Sequence, residues 1–132
     1  MLTIRYREPV TGRVFLGPPG GEIEEGESPE RAAEREVLEE TGYRALLLPE
    51  PRFSSRYAFD WAGKTYECRT NWFPARLLEP GAPPLAPEEV EYITGVVWLP
   101  LERAESEFSY HAIIRKDILR VLSGMRDFFS SL

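Results

Sequence analysis

Arg35-Glu36-Val37-Leu38-Glu39-Glu40 is the most informative segment of this chain, because it lies in a segment whose ends are marked like those of a helix. Ser28 is a good N-cap, and Pro29 suits the first helical position. Gly42 suits the C-terminal stop, where a left-handed backbone is common. The sequence therefore predicts a helix over residues 29–41.

Three glutamates of this helix share one face. At 100° per residue, Glu39, Glu36 and Glu40 lie at roughly −60°, 0° and +40° on the helical wheel, an arc of about 100°. Their carboxylates repel one another, and Arg35 is placed to offset only Glu39. The helix alone allows two interpretations: a solvated acidic face, or a site for a hard cation such as Mg²⁺.

Composition excludes several classes of protein. The chain has 132 residues, which suits one domain over residues 1–132, and it has no apolar run long enough to span a membrane. The net charge of −6 argues against nonspecific binding to nucleic acid. Cys68 is the single cysteine and cannot form an internal disulfide, so we expect a reducing compartment, the cytoplasm.

The rest of the chain predicts strands around this helix. The expected elements are strands at 2–6 and 12–16, a hairpin of 53–61 and 64–77 that turns at Ala62-Gly63, a proline-rich loop at 80–87, a strand at 92–99 interrupted at Gly95, and a helix that Ser109 caps and that ends before Gly124. This order indicates an α/β (α+β) fold in which a mixed β-sheet is sandwiched between α-helices.

The spacing around the acidic helix matches a known motif. Gly21, five residues, Glu27, seven residues and then the segment 35–43 fit G-x5-E-x7-R-E-U-x-E-E-x-G-U at every fixed position, with Tyr43 at the closing aliphatic place. The chain thus resembles the MutT-like Nudix hydrolases. The segment 5–9 is also weakly similar to ADP-ribose pyrophosphatases.

The resemblance implies an activity and its cofactor. It implies the Nudix fold and Mg²⁺-dependent hydrolysis, with Mn²⁺ as a substitute, of a phosphoanhydride in a nucleoside diphosphate linked to another group. ADP-ribose, a nucleoside triphosphate and a dinucleoside polyphosphate are the expected kinds of substrate. In the family, residues matching Glu36, Glu39 and Glu40 bind metal, often with the carbonyl matching Gly21. Residues matching Arg35 and Glu27 usually brace loop and helix.

The general base differs between family members. It is either the glutamate matching Glu36 or a glutamate in a distant loop. Here Glu88, Glu89 and Glu91 precede a strand, and Glu91 lies closest to the place where relatives carry an extra ligand or base. The alternative for each of these three residues is a solvated acidic loop.

Aromatic and basic residues of the hairpin are candidates for substrate binding. Five aromatic residues could either stack on a base or pack in the core: Tyr57, Phe59, Trp61, Tyr66 and Trp72. Of these, Tyr57 is the candidate for substrate binding. Phosphate or ribose contacts are open to Arg52, Arg56 and Arg69. We expect a surface role for His111 and a core position for Cys68.

Assembly and competing functions follow from smaller features. Relatives commonly carry more chain before Gly21, so we expect the edge of strand 2–6 to be exposed and a homodimer to cover this edge or the hairpin. A non-catalytic nucleotide-sensing module is the alternative function, but its mark would be the loss of the motif glutamates, and none of them is lost. An isomerase of this fold would need more cysteine and histidine chemistry than one of each provides.

Overall fold

A computed structural model describes residues 1–79, 81, 83 and 85–130 of the chain. The expected combination of helices and sheet is confirmed, whereas Pro80 and Pro84 of the expected proline-rich loop lie outside the described residues. The elements are β1 Leu2–Arg7, β2 Val14–Gly17, α1 Pro29–Thr41, β3 Ala45–Leu47, β4 Phe53–Trp61, β5 Lys64–Trp72, β6 Ala75–Leu77, β7 Ile93–Trp98, α2 Ala104–Glu107 and α3 Ala112–Ser130, with a 3₁₀ turn at Leu101–Arg103.

Helix α1 has the predicted ends. The Ser28 hydroxyl accepts a hydrogen bond from the Arg31 N–H at 3.2 Å, and Pro29 opens the helix. Gly42 ends it with φ 80°, and its N–H donates to the Leu38 carbonyl at 2.9 Å. The bounds 29–41 are confirmed because each end depends on a capping residue next to it in sequence.

Strand β1 lies in the middle of a three-stranded antiparallel sheet, in the order β2-β1-β7. The prediction of an exposed edge at residues 2–6 is therefore wrong, because both edges of β1 are paired. The other pairs, β3 with β6 and β4 with β5, are also antiparallel. In the described residues the strands thus form three small antiparallel sheets, and the expected single mixed sheet is not found.

The β4–β5 hairpin turns at the predicted residues. Ala62 and Gly63 have φ 53° and 78°, and two positive φ values in a two-residue loop match the twist of the flanking strands. The prediction of one continuous strand over 64–77 is wrong, because the chain breaks at Pro74, which has no N–H to donate. The Pro74 carbonyl instead accepts from the Leu48 N–H at 2.8 Å, and β6 pairs with the unpredicted β3.

Strand β7 carries an irregularity close to the predicted one. Arg5 pairs with Gly95 and Tyr6 pairs with Ile93, so Thr94 is the extra residue of a bulge. The Arg5 guanidinium donates to the hydroxyl and the carbonyl of Thr94 at 3.0 and 3.1 Å. The side chain opposite the bulge thus stabilises it.

Helix α3 differs from its prediction at both ends. Its first residue is Ala112, and the ring Nδ1 of His111 accepts from the Ile114 N–H at 3.3 Å, so Ser109 is not the cap. The helix also continues through Gly124, where a Cβ would lie 2.5 Å from Cγ of Pro51. This glycine is therefore a close packing contact between distant segments and does not end the helix.

The core lies between α3 and the inner face of the hairpin. Its buried residues are Trp72, Leu99, Ala104, Phe108, Ile114, Ile118 and Val121. Buried Asp117 accepts from the Ser55 hydroxyl at 2.5 Å, and Ser55 accepts from the Trp72 indole at 3.1 Å. His111 packs against the rings of Tyr57 and Phe59, with centroids 5.1 and 5.9 Å away. His111, expected at the surface, is thus half-buried with one ring face packed, and Cys68, expected in the core, is also only half-buried.

The buried carboxylate of Glu8 joins two turns. One oxygen accepts from the Val10 N–H at 3.0 Å and from the N–H and hydroxyl of Thr11 at 2.5 and 2.7 Å. The other oxygen accepts from the Ala62 N–H at 2.6 Å, at the tip of the hairpin. The Thr11 N–H, followed by the other donors, lowers the pKa of Glu8 to about 2.

We predict that Glu8→Gln destabilises the protein, because an amide presents only one acceptor oxygen to these four donors. The stabilisation from Glu8 is present above about pH 4.5 and is lost as the pH falls through about 2. Thermal unfolding of wild type and variant between pH 7 and pH 2 checks this. The matched control is exposed Glu67→Gln on β5, and equal midpoints for wild type and Glu8→Gln at pH 7 would contradict the prediction.

Candidate active site

Glu40 is the most buried of the three helix glutamates, with 8% of its surface exposed. One carboxylate oxygen accepts from the Gly20 N–H at 2.7 Å, and the other lies 3.4 Å from the Tyr6 hydroxyl. Burial raises the pKa of Glu40 to about 7, and the negative charge of Glu36 adds to the shift while the Gly20 N–H opposes it. The fold thus holds an acid out of water beside other acids.

Glu36 lies against the glycine loop that precedes α1. A Cβ on Gly21 would lie 2.5 Å from a carboxylate oxygen of Glu36, so only glycine allows this contact. Burial also raises the pKa of Glu36, although Arg35 opposes the shift. Glu36 and Glu40 are four residues apart, and they face neighbouring glycines of the same loop.

Arg35 ties loop and helix together. Its Nε and one terminal nitrogen donate to the two oxygens of Glu27 at 2.7 and 3.0 Å, and the same terminal nitrogen donates to the Glu22 carbonyl at 2.9 Å. The hydrogen bond from Arg35 lowers the pKa of Glu27 to about 2. The structure therefore places the Arg35–Glu27 pair as a brace across the loop.

The other terminal nitrogen of Arg35 offsets the charge of two glutamates, whereas only one was expected. It donates to Glu36 at 2.9 Å and to Glu39 at 3.1 Å. The charge of Glu36 is thus partly compensated, contrary to the expectation that Arg35 offsets only Glu39. The helical wheel does not predict this contact, because residues 35 and 36 point in directions 100° apart. The long, flexible side chain of Arg35 spans that angle.

The donor set suits a hard divalent cation. Carboxylate oxygens of Glu36, Glu39 and Glu40 lie on one helix face, where Glu36 and Glu40 contact the glycine loop, and such cations prefer oxygen ligands. The negative charges of Glu36 and Glu39 repel the carboxylate of buried Glu40. A bound cation would relieve this repulsion. Among the described residues, no three acidic, histidine or cysteine side chains already form a compact metal cage.

An aromatic wall, formed by Tyr6, Phe15, Trp61 and Tyr92, borders Glu40. Tyr6 touches the other three rings, with centroids 5.7 Å from Phe15, 6.4 Å from Trp61 and 6.4 Å from Tyr92. Sequence reasoning named only Trp61 of this set. The other three come from β1, β2 and the segment before β7, and only strand pairing shows that they meet.

The segment that begins at Leu85, in the last part of the proline-rich loop, lies along the C-terminal end of α1. The Leu85 N–H donates to the Gly42 carbonyl at 3.2 Å, and the Glu88 N–H donates to the Glu39 carbonyl at 2.8 Å. A Cβ on Gly42 would lie 2.0 Å from the Leu85 carbonyl oxygen, so this glycine is required both for its φ and for the close approach. The side chains of the three candidate bases are exposed: Glu88, Glu89 and Glu91.

The hairpin candidates lie apart from the carboxylates. Arg52 lies over the Phe73 ring and 3.9 Å from Glu30, about 15 Å along α1 from Glu40. Arg56 and Arg69 face each other on the exposed side of the hairpin. The Tyr57 hydroxyl lies 2.7 Å from the hydroxyl of Thr70, and the Tyr57 ring packs on His111. The structure thus brings the residues of the motif together but places none of these four candidates beside Glu36, Glu39 and Glu40.

A surface groove of about 660 Å³ lies on the side of α1 opposite the glutamates. Its lining includes Arg31, Glu34, Leu38 and Arg44. Arg31, Glu34 and Leu38 of α1 point away from Glu36 and Glu40. Arg35 and Glu27 also line the groove, so it meets the candidate site at this ion pair.

Comparisons with known proteins agree with this geometry. The family model of the NUDIX domain matches residues 1–122. A solved NUDIX hydrolase from Nitrosomonas europaea is similar at 25% identity and a TM-score of 0.59, over 92% of this chain and 79% of that chain. A Bacillus subtilis (strain 168) protein, "Putative 8-oxo-dGTP diphosphatase", is 66% identical over 29 residues. Those residues are 22% of this chain and only 20% of that relative.

None of the helices in the described part of the chain has the length and apolar character needed to cross a membrane.

We predict that Gly21→Ala weakens Mn²⁺ binding by about tenfold or more, because the added methyl group displaces the Glu36 carboxylate. Gly20→Ala is the matched control, since its Cβ meets nothing within 4 Å and its N–H to Glu40 is kept. Isothermal titration with Mn²⁺ measures both variants, and thermal unfolding verifies their fold. Equal Mn²⁺ affinity in the two variants would show that the contact between Gly21 and Glu36 is irrelevant to metal.

Proposed function

Because the chain belongs to the NUDIX domain family, we propose that it hydrolyses a phosphoanhydride bond in a nucleoside diphosphate linked to another group. The proposed cofactor is Mg²⁺, with Mn²⁺ as a substitute. Residues 1–132 are proposed to form one domain, and the family match over residues 1–122 supports this. Candidate substrates are ADP-ribose, a nucleoside triphosphate and a dinucleoside polyphosphate.

The observation that carries the proposal is the environment of Glu36 and Glu40. Two carboxylates with raised pKa values lie under a glycine loop, where Gly20 donates to one and Gly21 makes room for the other. Burying carboxylates next to one another costs free energy, and a bound cation would offset that cost. A merely solvated acidic face would leave all of these side chains in water.

The glutamates at positions 36, 39 and 40 and the carbonyl of Gly21 are the proposed ligands. When bound, a divalent cation supplies neutralisation of the anhydride oxygens and a more acidic water. Arg35 orients Glu36 and Glu39 through one terminal nitrogen, while its other donors hold the loop. Arg35 and Glu27 are therefore proposed as structural residues, and Gly42 as the residue that ends the helix.

Two residues are proposed for the general base, Glu36 and Glu91. Glu36 is largely buried beside Gly21 and pairs with Arg35, so it is already oriented for proton transfer. Glu91 is exposed and lies next to Tyr92 of the aromatic wall, so it would have to move toward the substrate. Glu91→Gln separates the two, because a base at Glu36 leaves this variant active.

Substrate contacts from the hairpin form a separate part of the proposal. Arg52, Arg56, Arg69 and Tyr57 remain candidates for contact with the distal group of a long substrate. Their guanidinium and phenol groups suit such contacts, while Arg52 donates to the Leu48 carbonyl at 2.9 Å and Tyr57 packs on His111. Because a relative carries the name 8-oxo-dGTP diphosphatase, 8-oxo-dGTP belongs among the substrates to be tested.

We predict that Glu39→Gln or Glu40→Gln lowers turnover at least roughly a hundredfold, because direct metal ligands matter more than the residues behind them. Glu34→Gln, on the opposite side of α1, should keep full activity. Turnover is measured with Mg²⁺ against a panel that contains ADP-ribose, 8-oxo-dGTP, nucleoside triphosphates and a dinucleoside polyphosphate.

Three outcomes of this panel would contradict the proposal. Wild-type turnover that persists in excess chelator would contradict the proposed metal cofactor. Equal losses of turnover in Glu34→Gln and Glu40→Gln would contradict the proposed site. Binding of nucleotides without any turnover would favour the nucleotide-sensing module.

The assembly and the location of the protein are also proposed. We propose a homodimer in the cytoplasm, with Cys68 reduced. Since β1 is paired on both sides, the dimer rests on the other proposed surface, the hairpin. Within the described residues, β4 and β5 pair only with each other and leave strand edges free to associate.

Light scattering at micromolar concentration should therefore give about twice the chain mass of 15.2 kDa. Lys substitutions on a β5 edge are expected to shift the mass toward that of the monomer. A wild-type monomer with full activity would contradict the dimer and leave the proposed hydrolysis intact.

A further inference from the structure

Resting on the proposed function, we infer that Tyr92 is the stacking platform for the nucleobase of the substrate, supported by Tyr6 and Trp61 of the aromatic wall. The ligand class is a purine or pyrimidine ring whose attached diphosphate reaches Glu36 and Glu40. Among the hairpin candidates named above, only Trp61 belongs to this wall, and Arg56, Arg69 and Tyr57 lie apart from the carboxylates.

The position of Tyr92 follows from a short chain of contacts. Its ring centroid lies 6.4 Å from that of Tyr6, with an interplanar angle of 18°. The Tyr6 hydroxyl in turn lies 3.4 Å from the Glu40 carboxylate. Burial raises the pKa of Tyr92, and the charges of Glu40 and Glu36 add to the shift, which agrees with this proximity.

The platform is held rigidly. The Tyr92 carbonyl accepts from the Arg7 N–H at 2.9 Å, which fixes this backbone beside β1. Trp61 meets Tyr92 edge to face, at 5.5 Å and 80°, and lies at the hairpin tip that Glu8 holds through Ala62. A rigid platform loses little conformational entropy when a ligand binds.

Tyr92 is nevertheless open to solvent. Its exposed fraction is 44%, close to the 46% of Tyr66 on the hairpin. Single exposed aromatic residues are ordinary on protein surfaces. Tyr92 differs from Tyr66 in its neighbours, since Tyr92 packs on two rings and lies beside the carboxylates, whereas Tyr66 has no ring contact in the described part of the chain. Tyr66 is therefore a control of matched exposure.

Stacking also predicts what the subsite distinguishes. Every nucleobase has an aromatic face, so a stacking platform tolerates changes of base but requires that a base be present. The subsite should thus favour nucleotides over base-free diphosphates and show little preference among adenine, guanine and uracil.

The test measures binding with Mg²⁺ of two non-hydrolysable probes, α,β-methylene-ADP and the base-free methylenediphosphonate. Tyr92→Leu, which removes the ring, should weaken α,β-methylene-ADP binding about tenfold and leave methylenediphosphonate binding unchanged. Tyr92→Phe, which keeps the ring, should bind like wild type, and Tyr66→Leu should have no effect. Guanine and uracil analogues should lose affinity to a similar extent in Tyr92→Leu.

Unchanged α,β-methylene-ADP binding in Tyr92→Leu, or an equal loss for both probes, would overturn the inference. If Tyr92→Leu fails to fold, NMR of the wild type decides, because the Tyr92 ring signals should shift with α,β-methylene-ADP and not with methylenediphosphonate. Failure of the proposed function has a different signature, since the wild type would then hydrolyse nothing in the substrate panel whatever the state of Tyr92.

Discussion

The guanidinium of Arg35 is the group on which the arrangement of the site depends. It holds both oxygens of Glu27, the Glu22 carbonyl and the carboxylates of Glu36 and Glu39 at once. A lysine ammonium could not replace it, because it lacks a planar set of donors that point in several fixed directions. The consequence is geometric: the loop before α1 cannot shift along the helix without breaking several of these contacts together.

The same interaction divides the glutamates into two kinds. Glu36 and Glu39 share the charge of Arg35, whereas Glu40 receives a backbone N–H and lies near the Tyr6 hydroxyl. Burial therefore acts most strongly on Glu40, and its pKa of about 7 is the result. The helix keeps negative charge concentrated at its buried end, where the glycine loop and the aromatic wall meet. A cation bound there would gain more than one bound on an exposed acidic face.

An element could be predicted from the sequence when the residues that determine it lie close to it along the chain. Helix α1 was predicted to the residue, since Ser28 and Gly42 cap it locally. Helix α3 was misread at both ends for the opposite reason. Ser109 has the chemistry of a cap, but the ring of His111 takes that role, and Gly124 serves a contact with Pro51 from a remote segment. Strand β3 was missed because its partner, β6, had been assigned to a longer strand.

The site divides along the same line. The acidic part lies within one helix and its preceding loop, so spacing alone predicts that Glu36 and Glu40 come together. The aromatic part is assembled from β1, the hairpin tip and the start of β7, through the pairing of Tyr6 with Ile93 and the bond from Ala62 to Glu8. A motif can therefore indicate the chemistry of such a site, while recognition of the substrate depends on side chains that only the sheet topology brings next to it. This is why Arg56, Arg69 and Tyr57, chosen by residue type on the hairpin, lie away from the carboxylates, and why Tyr92 has no local signal in the sequence.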